Sequence, residues 1–243
     1  MQDLREDFLA QCPVEDGFRL RGENMTRIEV FIDAAFAFAV TMLVISFDRI
    51  PQTFDEIVVA IKGIPGFILA VIQLVWIWHA HSQWSQRYGL RDAKTVALST
   101  ALLIVVLVYI YPMRIMLSGL ISWLSGGYLT TDFQIRTSEE LASMFVFLGC
   151  GFVACCVVFL MMYWHAIVRK VELKLSQFET YTTETSALVW SGSAVIGVIS
   201  IVFALTFPPH LLPFAGFGYA LLGAWIPLAI TYRVRSQPGG HAP

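Results

Sequence analysis

Residues 27–47, from Arg27 to Phe47, read R-I-E-V-F-I-D-A-A-F-A-F-A-V-T-M-L-V-I-S-F. From Val30 the stretch is apolar almost throughout, and it stops before Asp48-Arg49-Ile50-Pro51. A helix of that length crosses a bilayer. Asp33 breaks the pattern by placing a carboxylate just inside the apolar run. Such a group costs about 2.5–3.5 kcal/mol at mid-helix and less near an end. Leu would serve a simple anchor, so Asp33 reads as a functional or network residue.

Ala34, Phe38, Thr41 and Ile45 follow a 4-3-4 step and share one helical stripe. That stripe suits a neighbouring helix, or copies of itself around a symmetry axis. Ala34, Ala35, Ala37 and Ala39 allow close backbone approach, as membrane helix contacts prefer. The plainer alternative is that the alanines only pack and that Thr41 bonds back to its own helix. Asp33, five residues before Phe38, points about 140° away from this stripe.

The rest of the chain agrees with a membrane setting. It is 57% hydrophobic and 14% charged, with mean hydropathy +0.67, whereas soluble domains carry about 25% charged residues. A net charge of −2 gives no reason to expect nucleic acid as a partner. Residues 1–26 are mixed and polar, without the apolar core of a signal peptide, and are expected to form a cytosolic arm. Further spans are expected at about Ile64–Trp84, Thr95–Leu117, Leu141–Trp164, Ser186–Phe207 and Leu212–Tyr232. Pro65 would sit near the start of its span, Pro112 near the end of the next, and Arg114 just beyond it. Trp123 and Tyr128 in the 118–140 loop suit the headgroup level. Pro208-Pro209-His210 would make a tight turn.

Six spans put both ends on one side. That side carries twelve Lys/Arg and the other four, so both termini are expected in the cytosol. Enzyme motifs are absent: no G-x-S-x-G, P-loop or HExxH, and no paired intramembrane acids. A proton-coupled transporter would show a chain of such acids or two matched sets of broken helices. Gly216-Phe217-Gly218-Tyr219 has the glycines of a potassium-channel filter, but no span follows it, so close helix packing accounts for it better. His79 and His81 are two apart and do not share a helix face, so no metal site is expected there. Trp78 and Trp164 read as interfacial residues with polar His beyond them. Cys12, Cys150, Cys155 and Cys156 contain no CxxC pair and read as small buried residues.

Arg27, then Phe31-Ile32-Asp33 three residues on, then Thr41 after seven more, is similar to the R-x3-F-S-D-x7-T signature of the transmembrane protein 175 family. These are lysosomal and bacterial cation channels, chiefly potassium channels. The lead-in F-R-L-R-G-E-N-M-T-R (Phe18 to Arg27) and the run D-A-A-F-A-F-A-V-T-M-L-V-I-S (Asp33 to Ser46) resemble the bacterial members. Trp78 and His81 resemble a W-x-x-H feature of the family. Ile32 replaces the family's serine, and Phe38 stands where its pore constriction carries Ile or Leu.

The resemblance implies an all-α membrane protein of six transmembrane helices, both termini cytosolic, with the first helix lining a central pore in a homotetramer. It divides the chain into an arm (1–26), a channel domain (27–232) and a tail (233–243). Phe38 would be the constriction and Ala34, Thr41 and Ile45 would line the pore. Arg27, Asp33 and His81 would form a structural polar network near the cytosolic mouth. The expected function is a potassium-preferring cation channel without a P-loop filter, in the bacterial inner membrane. It would need no cofactor; K⁺ would be the permeant ion, and the partners would be other copies of the chain, the bilayer and monovalent cations. Two alternatives stand beside it: a non-conducting membrane protein of the same fold, supported by Phe38 and Ile32, and a proton or small-solute transporter, resting on Asp33.

Overall fold

Four short polar residues set the starts of the longest helices. Thr53, Asp92, Thr137 and Ser176 each accept, through the side chain, the backbone N–H of the residue three positions on. Each satisfies one of the donors that a helix start leaves unpaired. Ser176 and Glu179 complete a reciprocal capping box. The computed structural model describes residues 6–22, 26–45, 52–129, 131 and 135–235. Its elements are α1 (Glu6–Gln11), β1 (Val14–Glu15), β2 (Phe18–Arg19), α2 (Arg27–Ile45), α3 (Phe54–Tyr88), α4 (Ala93–Leu124), α5 (Ser138–Val168), α6 (Gln177–Thr206), α7 (Pro213–Phe217) and α8 (Leu221–Arg235). Five segments among the described residues are long and apolar enough to cross a membrane: α3, α4, α5, α6 and the stretch Pro209–Arg233. The 19 residues of α2 give a helix about 28 Å long, close to the thickness of the hydrocarbon layer.

One core runs through the bundle. Phe36 and Ala39 of α2, Leu74 of α3, Leu102 of α4, Phe159 of α5 and Trp190 of α6 all belong to it. The Phe159 and Trp190 rings stack with centroids 4.2 Å apart. Small residues bring the helices together: a Cβ on Gly66 would lie 2.8 Å from the Ser118 Cα.

The helices begin and end where capping allows, not where hydropathy changes. The second span was expected from Ile64, but Thr53 starts α3 with Asp55 and Glu56 in its first turn, so Pro65 lies inside the helix. In the same way Pro112 lies inside α4, and Arg114 is part of that helix instead of following it. The final span is interrupted: Pro209–Leu211 and Gly218–Ala220 are 3-10 turns on either side of α7. Residues 1–5, 46–51 and 236–243 of the expected arm, first span and tail lie outside the described residues.

The amino-terminal arm carries a β-hairpin, with Val14 paired to Arg19 and Glu15 to Phe18. Phe18 and Arg21 are buried against the helix bundle, so the arm packs as part of the body.

Asp92 ties the start of α4 to the end of α5. Its carboxylate receives the Thr95 hydroxyl at 2.5 Å and the His165 Nε2 at 3.0 Å, and it pairs with the Arg169 guanidinium at 3.2 Å. Burial alone would raise its pKa, but the Thr95 and His165 hydrogen bonds and the charges of His165 and Arg169 outweigh that and lower it from 3.8 to about 2. A lowered carboxylate pKa stabilises the fold fully above the unfolded value, and that contribution is lost as pH falls through the folded one. Melting temperature should therefore drop between about pH 4 and pH 2. Asp92→Asn keeps the cap and should flatten this part of the profile; parallel profiles for the two proteins would refute the assignment.

Candidate functional site

The first turn of α2 is fixed by a reciprocal pair. The Thr26 hydroxyl accepts the Glu29 N–H at 3.3 Å, and the Glu29 carboxylate accepts the Thr26 N–H. The other Glu29 oxygen accepts the hydroxyl of Ser85 on α3. Beyond this turn, Ile32, Phe36, Ala39 and Leu43 repeat at 4-3-4 and are all buried, resting on α3 and α4. The opposite side is uncovered. Ala34, Phe38 and Thr41 are exposed, with Phe38 at 57%. Ile45 ends α2, and its side chain lies outside the described residues. The Thr41 hydroxyl donates to the Phe38 carbonyl at 2.6 Å, the back-bonding common for Thr in helices.

Asp33 is half-buried and points toward α3, where the Trp78 indole N–H donates to its Oδ1 at 2.8 Å. His81, one turn after Trp78, is 2% exposed, and its Nε2 lies 3.0 Å from the Ser99 hydroxyl on α4. Asp33 and His81 line the same cleft of about 320 Å³, together with Glu29, Ser82, Ser85 and Gln86. Each is held by its own partner. Arg27, the third residue of the expected network, is exposed on the first turn of α2. Trp78 is half-buried and serves as a hydrogen-bond donor, a role hidden by its reading as an interfacial residue. The i, i+3 spacing of Trp78 and His81, which puts both on one face, was the available sign.

Among the described residues no group of three or more His, Cys, Asp or Glu is placed to hold a metal ion. His79 is exposed. His165 is engaged by Asp92, while its neighbour Trp164 is 60% exposed. Cys12, Cys155 and Cys156 are buried and Cys150 is exposed. The Gly216–Tyr219 segment is helical, spanning the end of α7 and a 3-10 turn. The Phe145 ring lies 2.9 Å from where a Gly216 Cβ would stand, so this glycine serves packing.

Residues 27–110 match the profile of the family described as endosomal/lysosomal potassium channel TMEM175. A protein named potassium channel, from Marivirga tractuosa, is 33% identical over 210 residues, which is 84% of this chain and 85% of the relative. The crystal structure of the potassium channel MtTMEM175, a threonine-to-alanine variant in complex with a nanobody–MBP fusion, is similar with a TM-score of 0.79 and 29% identity. That likeness covers 92% of this chain and 99% of the other.

The Asp33–Trp78 bond gives a direct expectation for stability. Asp33→Ala and Trp78→Phe should each cost on the order of 1 kcal/mol, because each removes one partner of a half-buried hydrogen bond. The double variant should cost less than the sum of the two. Melting of the purified protein in detergent measures this; strict additivity would show that the two groups do not interact.

Proposed function

The chain belongs to the TMEM175 family of potassium channels, and we propose that it is a potassium-preferring cation channel in which four copies surround a pore lined by α2. The observation that carries this reading is the uncovered stripe of α2. Among the described residues no helix covers Ala34, Phe38 and Thr41, while Ile32, Phe36, Ala39 and Leu43 are buried on the other side of α2. One chain offers one such stripe, so an axial path requires several copies, and closed cyclic symmetry is the usual arrangement.

In this assembly α2 is the sixth span, both termini are cytosolic, and the Asp33 cleft lies near the cytosolic mouth. Four Phe38 rings form a hydrophobic constriction that gates by dewetting. Thr41 lies one turn beyond. Its proton is committed to the Phe38 carbonyl, which leaves oxygen lone pairs for a partly dehydrated cation. Selectivity then comes from hydroxyls and pore width, not from a re-entrant carbonyl filter. Asp33, bonded to Trp78 on the face away from Phe38, holds the pore helix and does not touch the ion. Membership of a channel family implies a protein that is not an enzyme, and the bacterial inner membrane is its proposed location.

A second reading has its own support. Phe38 is bulkier than the family's Ile or Leu, and Ile32, in place of the family's serine, is buried in the core. Together they suit a channel-fold protein whose constriction stays shut. Planar-bilayer recording of the purified protein under a K⁺/Na⁺ gradient separates the two: K⁺-selective unitary currents support the channel, and their absence from a folded tetramer supports the closed variant.

Two substitutions probe the pore face. Phe38→Ala should raise unitary current and K⁺ flux; unchanged values in a well-folded variant would remove Phe38 from the constriction. Thr41→Val keeps the shape and removes the hydroxyl. It should lower the K⁺/Na⁺ permeability ratio while conduction persists, and an unchanged bi-ionic reversal potential would count against it.

A further inference from the structure

Arg21 is 5% exposed, yet its guanidinium leaves no nitrogen without an acceptor. Nε donates to the Leu173 carbonyl at 2.9 Å. One terminal nitrogen donates to the Arg19 carbonyl at 3.0 Å and to Glu179 Oε1 at 2.9 Å. The other donates to Glu179 Oε2 at 2.9 Å. Glu179 is equally engaged: beyond the bidentate pair it accepts the Arg19 N–H at 2.9 Å and the Ser176 N–H at 2.7 Å. The two side chains are each 1% exposed. The turn before α6 presents its carbonyls to Arg21 with Lys174 at φ +46°, a left-handed backbone uncommon for a residue with a side chain.

The next residue continues the attachment. The Gly22 N–H donates to the Gln86 carbonyl at 2.8 Å. A Cβ there would lie 2.5 Å from the Ser85 carbonyl oxygen, so only glycine fits. Ser85 is also the residue that holds Glu29 of α2. Two adjacent residues at the end of α3 therefore grip both the arm and the first turn of α2. On the other side, Phe18 sits edge-on to Tyr88, and the Tyr88 hydroxyl donates to Thr183 of α6 at 2.8 Å.

We propose that the amino-terminal arm is a strap that sets the position of α2, with Arg21 and Glu179 as positioning residues for opening of the pore although neither faces it. This rests on the channel reading of α2. A buried ion pair is a poor device for stability alone, since apolar residues of similar volume often do as well. What the fork of donors supplies is register. A slip of one residue in the extended arm would move it by about 3.3 Å and exchange Arg21 for Leu20 or Gly22. With the pair in place, the first turn of α2 stands at one height against α3 and α6. Without it, the arm can slide and α2 gains freedom at its cytosolic end.

The test uses the full chain carrying Arg21→Met with Glu179→Gln, which removes the ion pair but keeps the capping acceptor at 179. Oligomeric state should stay that of the wild type, and melting should fall modestly, because the Leu173 and Arg19 carbonyls lose the Arg21 donor. Amide hydrogen exchange at residues 27–36 should rise by about tenfold. In liposomes the open probability should change severalfold, with unitary conductance and K⁺/Na⁺ ratio unaltered. Exchange and open probability equal to the wild type would overturn the strap. If the double variant does not fold, Arg21→Lys, which keeps the charge but not the fork, decides by the same readouts. A folded wild type that passes no K⁺ refutes the channel reading instead, and the exchange measurement still decides whether the arm holds α2.

Discussion

A carboxylate carried into hydrocarbon has to find a donor, and the helix that carries it must turn to meet that donor. For Asp33 the donor is the Trp78 indole, 2.8 Å away on α3. This bond and the buried apolar face of α2 agree on one rotation of the helix about its own axis. Ile32, Phe36, Ala39 and Leu43 then turn inward, and Ala34, Phe38 and Thr41 can only turn outward. The first turn is fixed separately by Glu29, shared between Thr26 and Ser85. Asp33 and Glu29 thus make two separate polar contacts with the same neighbour, α3.

Outward in a membrane protein ordinarily means toward lipid, and many large apolar residues on α3, α5 and α6 are exposed in that way. The α2 stripe differs in composition. Exposed Thr bonded back to its own helix also occurs at Thr100 and Thr206, but runs of Ala are poor at filling space among acyl chains. Small residues that admit a close neighbour, one aromatic ring and one hydroxyl are what an interhelical seam or a pore face uses. Lipid tails are as apolar as a Leu side chain, so burial of oily surface would not drive the proposed assembly; close packing would have to. The alanines around Phe38 meet that requirement.

Much of this was legible in the sequence. Apolar runs marked every long helix, and the angle between Asp33 and Phe38 followed from helical spacing alone. Hydropathy misjudged the helix ends because the ends obey hydrogen bonding: Thr53 and Ser176 cap their helices about ten residues before the apolar runs begin. The break in the last span escaped because Gly216 serves a close approach that appears only once the Phe145 ring is in place. The arm was read as a polar lead-in. One of its charges, Arg21, is in fact buried and meets an acceptor 158 residues away in the chain, and no local pattern announces a partner at that separation.

The Thr41 hydroxyl shows how a bland local contact and a functional one can be the same contact. Sequence chemistry offered two readings, a hydroxyl bonded back to its own helix or a hydroxyl offered to an ion. The bond to the Phe38 carbonyl is present at 2.6 Å, and it uses the proton. A cation is attracted to the oxygen and repelled by the proton, so a hydroxyl that has already given its proton away is the better ligand for it. The bond also removes a rotor, so the oxygen is held in place before an ion arrives and less ordering is left to be done on binding. It joins Thr41 to the backbone of the very residue proposed as the constriction. Any movement of α2 that displaces Phe38 therefore carries the hydroxyl with it, and the proposed gate and the proposed ligand would shift as one unit.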